Sequence, residues 1–419
     1  MDDNSVLLIT LAKAGMNTRS AYNAEMEIRS LLETLEMRVS FHILFSLKEE
    51  NPNTLIGPGQ AEQAGRIASE TGVQTVVVNA FLSARMEKNL ERIFSLPVLD
   101  REAVILSIFL RNAHSKEAML QIEKAEAEYL KPRLRGRISN LEQQRGGVKG
   151  SKGLGERMIE LDRRKLERRI ATIDRELDKI SKVRETQKKD RLSGSLFSFA
   201  LVGYTNAGKS SLMNALTGAD VLIEDKLFAT LDTTTRKLRL KNGETVLLSD
   251  TVGFINDLPH RLISAFSSTL KEALDASALI IVQDLENPDS YNSFLTTVNT
   301  LKELGAEDKI KLLVLNKADR EYDDFNTIRL KNYGYDYVVT SVKEKTGLEE
   351  LLDKLEKNAE EEEKIIEIRT PLDGSAFSLI RKDDSIISAI YKEDGLYLRI
   401  RIRKAFLPYY EKLEKSLMP

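Results

Sequence analysis

The chain has 419 residues, a formal net charge of −2 and a composition that is 42% hydrophobic and 31% charged, as expected of a water-soluble protein of two or three domains. It has no cysteine and only three histidines, His42, His114 and His260, which excludes disulfides, thiolate zinc sites and cysteine nucleophiles and argues against a histidine metal site. No run approaches the ~18 apolar residues of a membrane span, and Met1-Asp2-Asp3-Asn4 is acidic where a signal peptide is basic, so a cytoplasmic protein without membrane association is expected.

Residues 1–114 read as a small α/β domain. Strands are expected at Val6–Leu11, Val39–Leu44 and Thr75–Val78, with helical patterns around 20–36 and 60–72 between them. Gly57-Pro58-Gly59 marks a turn before the second of these helices. From 115 to 192 the pattern turns helical. Leu120, Ala127, Leu134 and Leu141 recur every seven residues, as do Ile159, Leu166, Ile173 and Ile180, with Ile170 and Leu177 on the alternate seam. Two stripes around the glycine-rich bend at 146–155 predict an antiparallel helical hairpin with coiled-coil packing, its first arm interrupted at Pro132. Residues 131–191 hold 20 Lys/Arg against 10 Asp/Glu. Such a block suggests a surface for a polyanion, with Arg145, Lys149 and Lys152 facing outward at the bend; a solvated, Arg-rich hairpin is the alternative.

Residues 193–358 read as a second α/β unit. Strands at Phe197–Val202, Val246–Ser249, Ala278–Val282, Ile310–Leu315 and Tyr337–Thr340 alternate with helices, which predicts a doubly wound, largely parallel sheet. The acidic run Glu360–Glu363 is expected to be a linker to a small α+β appendix at 365–419. There Tyr397–Ile402 alternates as a strand with one basic face, preceded by a hairpin turn at Glu393-Asp394-Gly395. The expected fold class is therefore α/β throughout, with this α+β appendix.

The chemistry lies in the second unit. Gly203-Tyr204-Thr205-Asn206-Ala207-Gly208-Lys209-Ser210 follows an apolar strand and opens a helix. This is the setting of a phosphate-binding P-loop, in which main-chain N–H groups cradle phosphates, Lys209 reaches the β- and γ-phosphates and Ser210 ligates Mg²⁺. Four further segments arrive in the order a guanine-nucleotide switch requires. In Phe228-Ala229-Thr230-Leu231-Asp232, Thr230 can offer Mg²⁺ a hydroxyl only when a γ-phosphate is present. In Asp250-Thr251-Val252-Gly253, the carboxylate can hold Mg²⁺ through water and the Gly253 N–H can reach the γ-phosphate. Asn316-Lys317-Ala318-Asp319 places a carboxylate against guanine N1–H and its amino group, donors that adenine does not offer in that geometry. Ser341-Val342-Lys343 would bring a main-chain N–H to the guanine carbonyl. Lys209, Thr230 and Gly253 are the expected catalytic contacts. Phe254 and Ile255 stand where a Ras-type switch carries its water-orienting glutamine, so intrinsic hydrolysis should be slow. Asn206 either ligates K⁺ against the phosphates or simply tolerates a left-handed turn.

These motifs closely resemble those of the HflX GTPases, relatives of the Obg group. The resemblance extends to Ile56-Gly57-Pro58-Gly59-Gln60, Leu99-Asp100-Arg101, Ile105–Phe109, Glu128–Leu134 and Leu161-Asp162-Arg163-Arg164, and so covers roughly residues 1–355. It implies a GTP/GDP-binding GTPase, with Ser210 and Thr230 as Mg²⁺ ligands, that acts on the large ribosomal subunit and its rRNA in ribosome splitting, rescue or biogenesis. A monomer is expected. The chain departs from the family pattern at Thr233, at Val342 and in the hairpin bend. Two other classes compete: a metabolic or RNA-modifying enzyme regulated by GTP, and a scaffold whose nucleotide is structural.

Overall fold

The computed structural model describes residues 4–13, 15, 18–134, 152–192, 196–218, 227–228, 233–256, 262, 274–372, 380 and 384–417. Three sheets organise them. The first, in the order β2-β1-β3-β4, is wholly parallel: β1 (Ser5–Lys13), β2 (Arg38–Leu47), β3 (Thr75–Val78) and β4 (Val98–Asp100). Its central strands are apolar on both faces because helices cover both. Leu8 and Val77 pack with Ile28 and Leu32 of α1 (Thr18–Thr34) and with Ile105 and Ile108 of α4 (Arg101–Asn112). Leu7, Ile9 and Val76 face Ala61, Ala64 and Ala68 of α2 (Pro58–Thr71), and Leu90 and Phe94 of α3 (Ala84–Phe94).

The turn expected at Gly57-Pro58-Gly59 opens α2 directly. Pro58 takes the first turn, the Gln60 side chain accepts the Gly57 N–H at 2.9 Å, and Gly72 ends the helix at φ 67°. α3, α4 and β4 are not among the elements expected from the sequence. β4 is only three residues long, and α4 is buried along most of its length, which erases the amphipathic period.

The hairpin arms are α5 (Lys116–Leu130) and α6 (Lys152–Leu192). α5 ends two residues before Pro132, although Lys131 between them keeps helical backbone angles. Cross-arm ion pairs fix the antiparallel sense: Lys116–Glu176 at 3.4 Å, Lys124–Asp174 at 2.6 Å, Arg169–Glu123 at 2.5 Å and Lys131–Glu167 at 2.9 Å. Of the stripe residues, Leu120, Ala127 and Ile173 are buried. Lys131 and Arg169, counted above in the outward basic block, instead bridge the arms. Leu141 and residues 146–150 of the expected bend, with Arg145 and Lys149, lie outside the described residues, whereas Lys152, Gly153 and Gly155 belong to α6 and not to a bend. The base of the hairpin is tied to the first sheet by Arg133. Its guanidinium lies 3.5 Å from the Tyr129 ring centroid and bonds Glu87 at 2.6 Å and Asp100 at 3.1 Å.

The second sheet runs β10-β9-β8-β5-β7-β6. β5 (Ser198–Gly203), β7 (Thr245–Asp250), β8 (Ala278–Asp284), β9 (Ile310–Asn316) and β10 (Tyr337–Val339) are parallel, whereas the edge strand β6 (Thr234–Arg239) is antiparallel. β6 escaped the sequence reading because Leu238 alone of its six residues is buried. The helices of this unit are α7 (Lys209–Thr217), α8 (Ser290–Glu303), α9 (Asp324–Lys331) and α10 (Leu348–Glu361).

The acidic run is not a linker. α10 continues through Glu361, and Glu363 already begins β11 (Glu363–Thr370). Glutamates are good helix formers, and charge alone does not end a helix. The third sheet is antiparallel, β11-β13-β12, with β12 (Ser385–Lys392), β13 (Gly395–Arg403) and the covering helix α11 (Leu407–Leu417). The expected hairpin turn joins β12 to β13. Leu396, Leu398, Ile400 and Ile402 are buried with Tyr410, which leaves Arg399 and Arg401 on the other face. No helix among the described residues is long and apolar enough to cross a membrane.

Candidate nucleotide site

The site sits where β5, β7, β8 and β9 end. β5 runs into the loop Gly203–Ser210, and α7 begins at Lys209. Two loop positions admit only glycine. A Cβ on Gly203 (φ +150°) would stand 2.2 Å from the Val282 carbonyl oxygen, and one on Gly208 (φ +88°) would stand 2.3 Å from Asn316 Nδ2. Asn206 adopts φ 60°, so the left-handed turn read from the sequence is present.

Lys209 is buried, and its ammonium donates to the Gly203 and Tyr204 carbonyls at 3.2 and 2.9 Å. Burial pushes its pKa down to about 8, against a smaller opposing pull from Asp250. Ser210 Oγ donates to Asp250 Oδ2 at 2.6 Å. A hydroxyl and a buried carboxylate thus converge at the start of α7, a hard-oxygen donor set suited to Mg²⁺ beside phosphates.

The segment after Asp250 lies on the loop. Thr205 N–H donates to Phe254 O at 2.8 Å and Phe254 N–H to Gly203 O at 3.0 Å. A Cβ on Gly253 would come within 2.6 Å of Thr205 Cα and 2.9 Å of Lys209 Nζ, so this glycine is required for close approach. Phe254 and Ile255 are buried in one cluster with Phe228 and with Val104, Ile105 and Phe109 of α4. The position of the absent glutamine is therefore part of the core between the first two α/β units. Phe228 is described, whereas Ala229, Thr230, Leu231 and Asp232 lie outside the described residues.

The segments expected to read the base also converge. Asn316 donates to Ala207 O at 3.0 Å and accepts from Thr340 Oγ1 at 3.2 Å, tying the phosphate loop to β9. Asp319 is exposed through its main chain, but its side chain keeps only 11% of its exposure. Ser341 Oγ donates to Asp319 Oδ1 at 2.6 Å, and this bond leads the causes that hold the carboxyl below its ordinary pKa. Lys317 pairs with Asp284 at 2.8 Å. Burial pushes the Asp284 pKa up, and Lys317 pulls against it. Asp284 was not read from the sequence: it ends β8 in register with Asn316, a pairing that only the sheet reveals. Lys343 is largely exposed and stands 4.0 Å from Asp319.

Three family models match the chain: "GTP-binding GTPase N-terminal" over residues 23–110, "GTP-binding GTPase Middle Region" over 112–191 and "50S ribosome-binding GTPase" over 198–317. A GTPase HflX of Spirochaeta thermophila is 40% identical over 375 residues, covering 89% of this chain and 91% of that protein. A GTPase HflX of Treponema denticola is 44% identical over 338 residues, covering 79% and 86%. The chain belongs to the HflX family of GTPases. It is accordingly a GTP-hydrolysing enzyme with a P-loop GTPase domain. Among solved structures, a GTP-binding protein of Sulfolobus solfataricus in complex with GDP is 26% identical, covers 85% of this chain and 99% of its own, and has a TM-score of 0.45. As a GTPase of the HflX family, the chain works without a side chain at Phe254 or Ile255 able to orient water.

Proposed function

We propose that this GTPase hydrolyses GTP to GDP and phosphate at the Gly203–Ser210 site and acts in translation, with the large ribosomal subunit as the partner that stimulates it. The observation that carries the nucleotide reading is the convergence of Lys209, Ser210, Asp250 and the Asn316–Asp319 segment at one end of the second sheet. In this reading the loop N–H groups and Lys209 hold the β- and γ-phosphates. Gly253 N–H and Thr230 meet the γ-phosphate side. Asp319, with Ser341-Val342-Lys343, reads guanine. Ser210, Thr230 and, through water, Asp250 would hold Mg²⁺, which neutralises charge developing on the phosphates. Asn206 offers its amide to K⁺ beside the same phosphates.

Two observations support the ribosomal partner: the surplus of Lys/Arg in residues 131–191, and the match to a family model described as a 50S ribosome-binding GTPase. Multiple-turnover GTP hydrolysis, measured in K⁺ and in Na⁺ with and without purified large subunits, tests the reading. Subunits should raise the rate tenfold or more, and K⁺ should raise the basal rate. A rate indifferent to subunits would sink the ribosomal part, and equal rates in the two salts would leave Asn206 as a turn residue.

A further inference from the structure

Lys317 stands between two residues whose side chains are already fixed. Asn316 before it ties β9 to the phosphate loop, and Asp319 after it receives Ser341. Lys317 itself adopts φ 63°, a left-handed conformation that a residue with a Cβ keeps only where its surroundings impose it. Two acidic side chains reach its ammonium. Asp284 Oδ2 lies at 2.8 Å and Glu286 Oε2 at 3.9 Å, and the two side chains keep 15% and 45% of their exposure. The pair with Asp284 is therefore shielded from water, where charges attract strongly, whereas the contact with Glu286 is long and screened.

Asp284 is itself immobilised. Its Oδ1 accepts the Glu286 N–H at 2.9 Å, and its carbonyl accepts Gln283 Nε2 at 3.2 Å. The next N–H, of Leu285, donates to Asn316 O at 3.0 Å, which locks the end of β8 to the end of β9 through the main chain. The Asp284 carboxylate is thus a fixed anchor for the residue that follows Asn316. An ammonium caught on such an anchor draws out its methylene stem and loses the rotamers that a free lysine samples. Asp319 lies two residues further on, so the drawn-out stem and the carboxylate expected to read guanine belong to one short segment.

We propose that Asp284 is a positioning residue for guanine binding: acting through Lys317, it fixes the lysine stem as a wall of the base site, beside the ring whose edge Asp319 reads. The inference rests on the nucleotide-site reading above. The tether acts on the base and not on the phosphates, so it strengthens GDP and GTP binding alike. Its test measures the affinities of GDP and a non-hydrolysable GTP analogue for the full chain and for Asp284→Asn, Lys317→Met, their double variant, Asp284→Glu and Glu286→Gln, with a thermal melt of each. Asp284→Asn and Lys317→Met should each weaken both nucleotides at least fivefold and by the same factor. The double variant should be no more than twofold weaker than either single one, because both changes break one tether. Asp284→Glu, which restores a carboxylate, should bind at least threefold tighter than Asp284→Asn. Glu286→Gln should stay within twofold of the parent. Lys317→Met breaks the tether from its more exposed side and decides the matter if Asp284→Asn fails to fold. GDP affinity within twofold of the parent in Asp284→Asn overturns the tether. So does a double variant in which the two losses multiply, or a loss confined to the analogue. A parent chain that binds neither nucleotide overturns the nucleotide site instead.

Discussion

At the scale of single residues, the site makes two sharp demands. Asp319 accepts from Ser341 and keeps its carboxyl ionised, the state that accepts from guanine N1–H and its amino group. Asp319→Asn should weaken GTP binding roughly ten- to a hundredfold, because the amide cannot accept from both guanine donors. It should shift preference toward xanthosine triphosphate, whose 2-carbonyl accepts from the new amide. Competition binding with the two triphosphates measures this, and an undiminished preference for GTP would refute the assignment. Lys209 makes the second demand. Burial holds its pKa at about 8 in the free protein, and a polyanion binds the ammonium form. Below that pH the charge is already present and affinity should be flat. Above it each binding event must take up a proton, so affinity should fall by about tenfold per pH unit. Analogue titrations from pH 7 to 9.5 show this slope, and a flat profile over that range contradicts it.

At the scale of elements, the hairpin is anchored at its base. Arg133 is 8% exposed and Asp100 fully buried, and the guanidinium bonds Asp100, Glu87 and the Leu82 and Tyr129 carbonyls. Tyr129 Oη adds a bond to Asp100 at 3.0 Å. Removing one partner of a buried ion pair strands the other, at about 3–5 kcal/mol. Arg133→Ala should therefore lower the unfolding free energy of the N-terminal unit, read from urea titration, by about that much. The exposed cross-arm pair Lys116–Glu176 should contribute under about 1 kcal/mol. Equal effects from Arg133→Ala and Lys116→Ala would remove the distinction. The hairpin stripes were legible in the sequence because a heptad is a local signal. The Arg133 knot was not, since it joins residues 33 and 46 positions apart with no shared period.

At the scale of the whole molecule, two α/β units share one buried cluster around Phe228 and the residues that follow Gly253. Val104, Ile105 and Phe109 belong to one unit and Phe228, Phe254 and Ile255 to the other. A perturbation of the first unit should therefore register in nucleotide preference, whereas the third sheet meets the second away from the site, where Arg403 pairs with Glu244 at 3.3 Å and stacks toward Phe197. Arg403→Ala should leave the ratio of analogue to GDP affinity within twofold of the parent. A larger change would mean that the C-terminal sheet also reaches the site.

The sequence by itself determined the fold class and the order of the nucleotide motifs. Apolar strands, amphipathic helices and glycines at forced turns are local features, and Gly203, Gly208 and Gly253 are among the positions where no Cβ fits. It did not determine the edge strand β6, the continuation of α10 through the acidic run, or the partner of Lys317. Nor did it show that Tyr204 reaches Glu27, 177 residues away, or that Arg101 reaches Asn256, 155 residues away. Polar contacts between segments remote in the chain leave no periodicity to read. They exist only once two hydrophobic cores have brought the segments together, and that was decided by the tertiary structure.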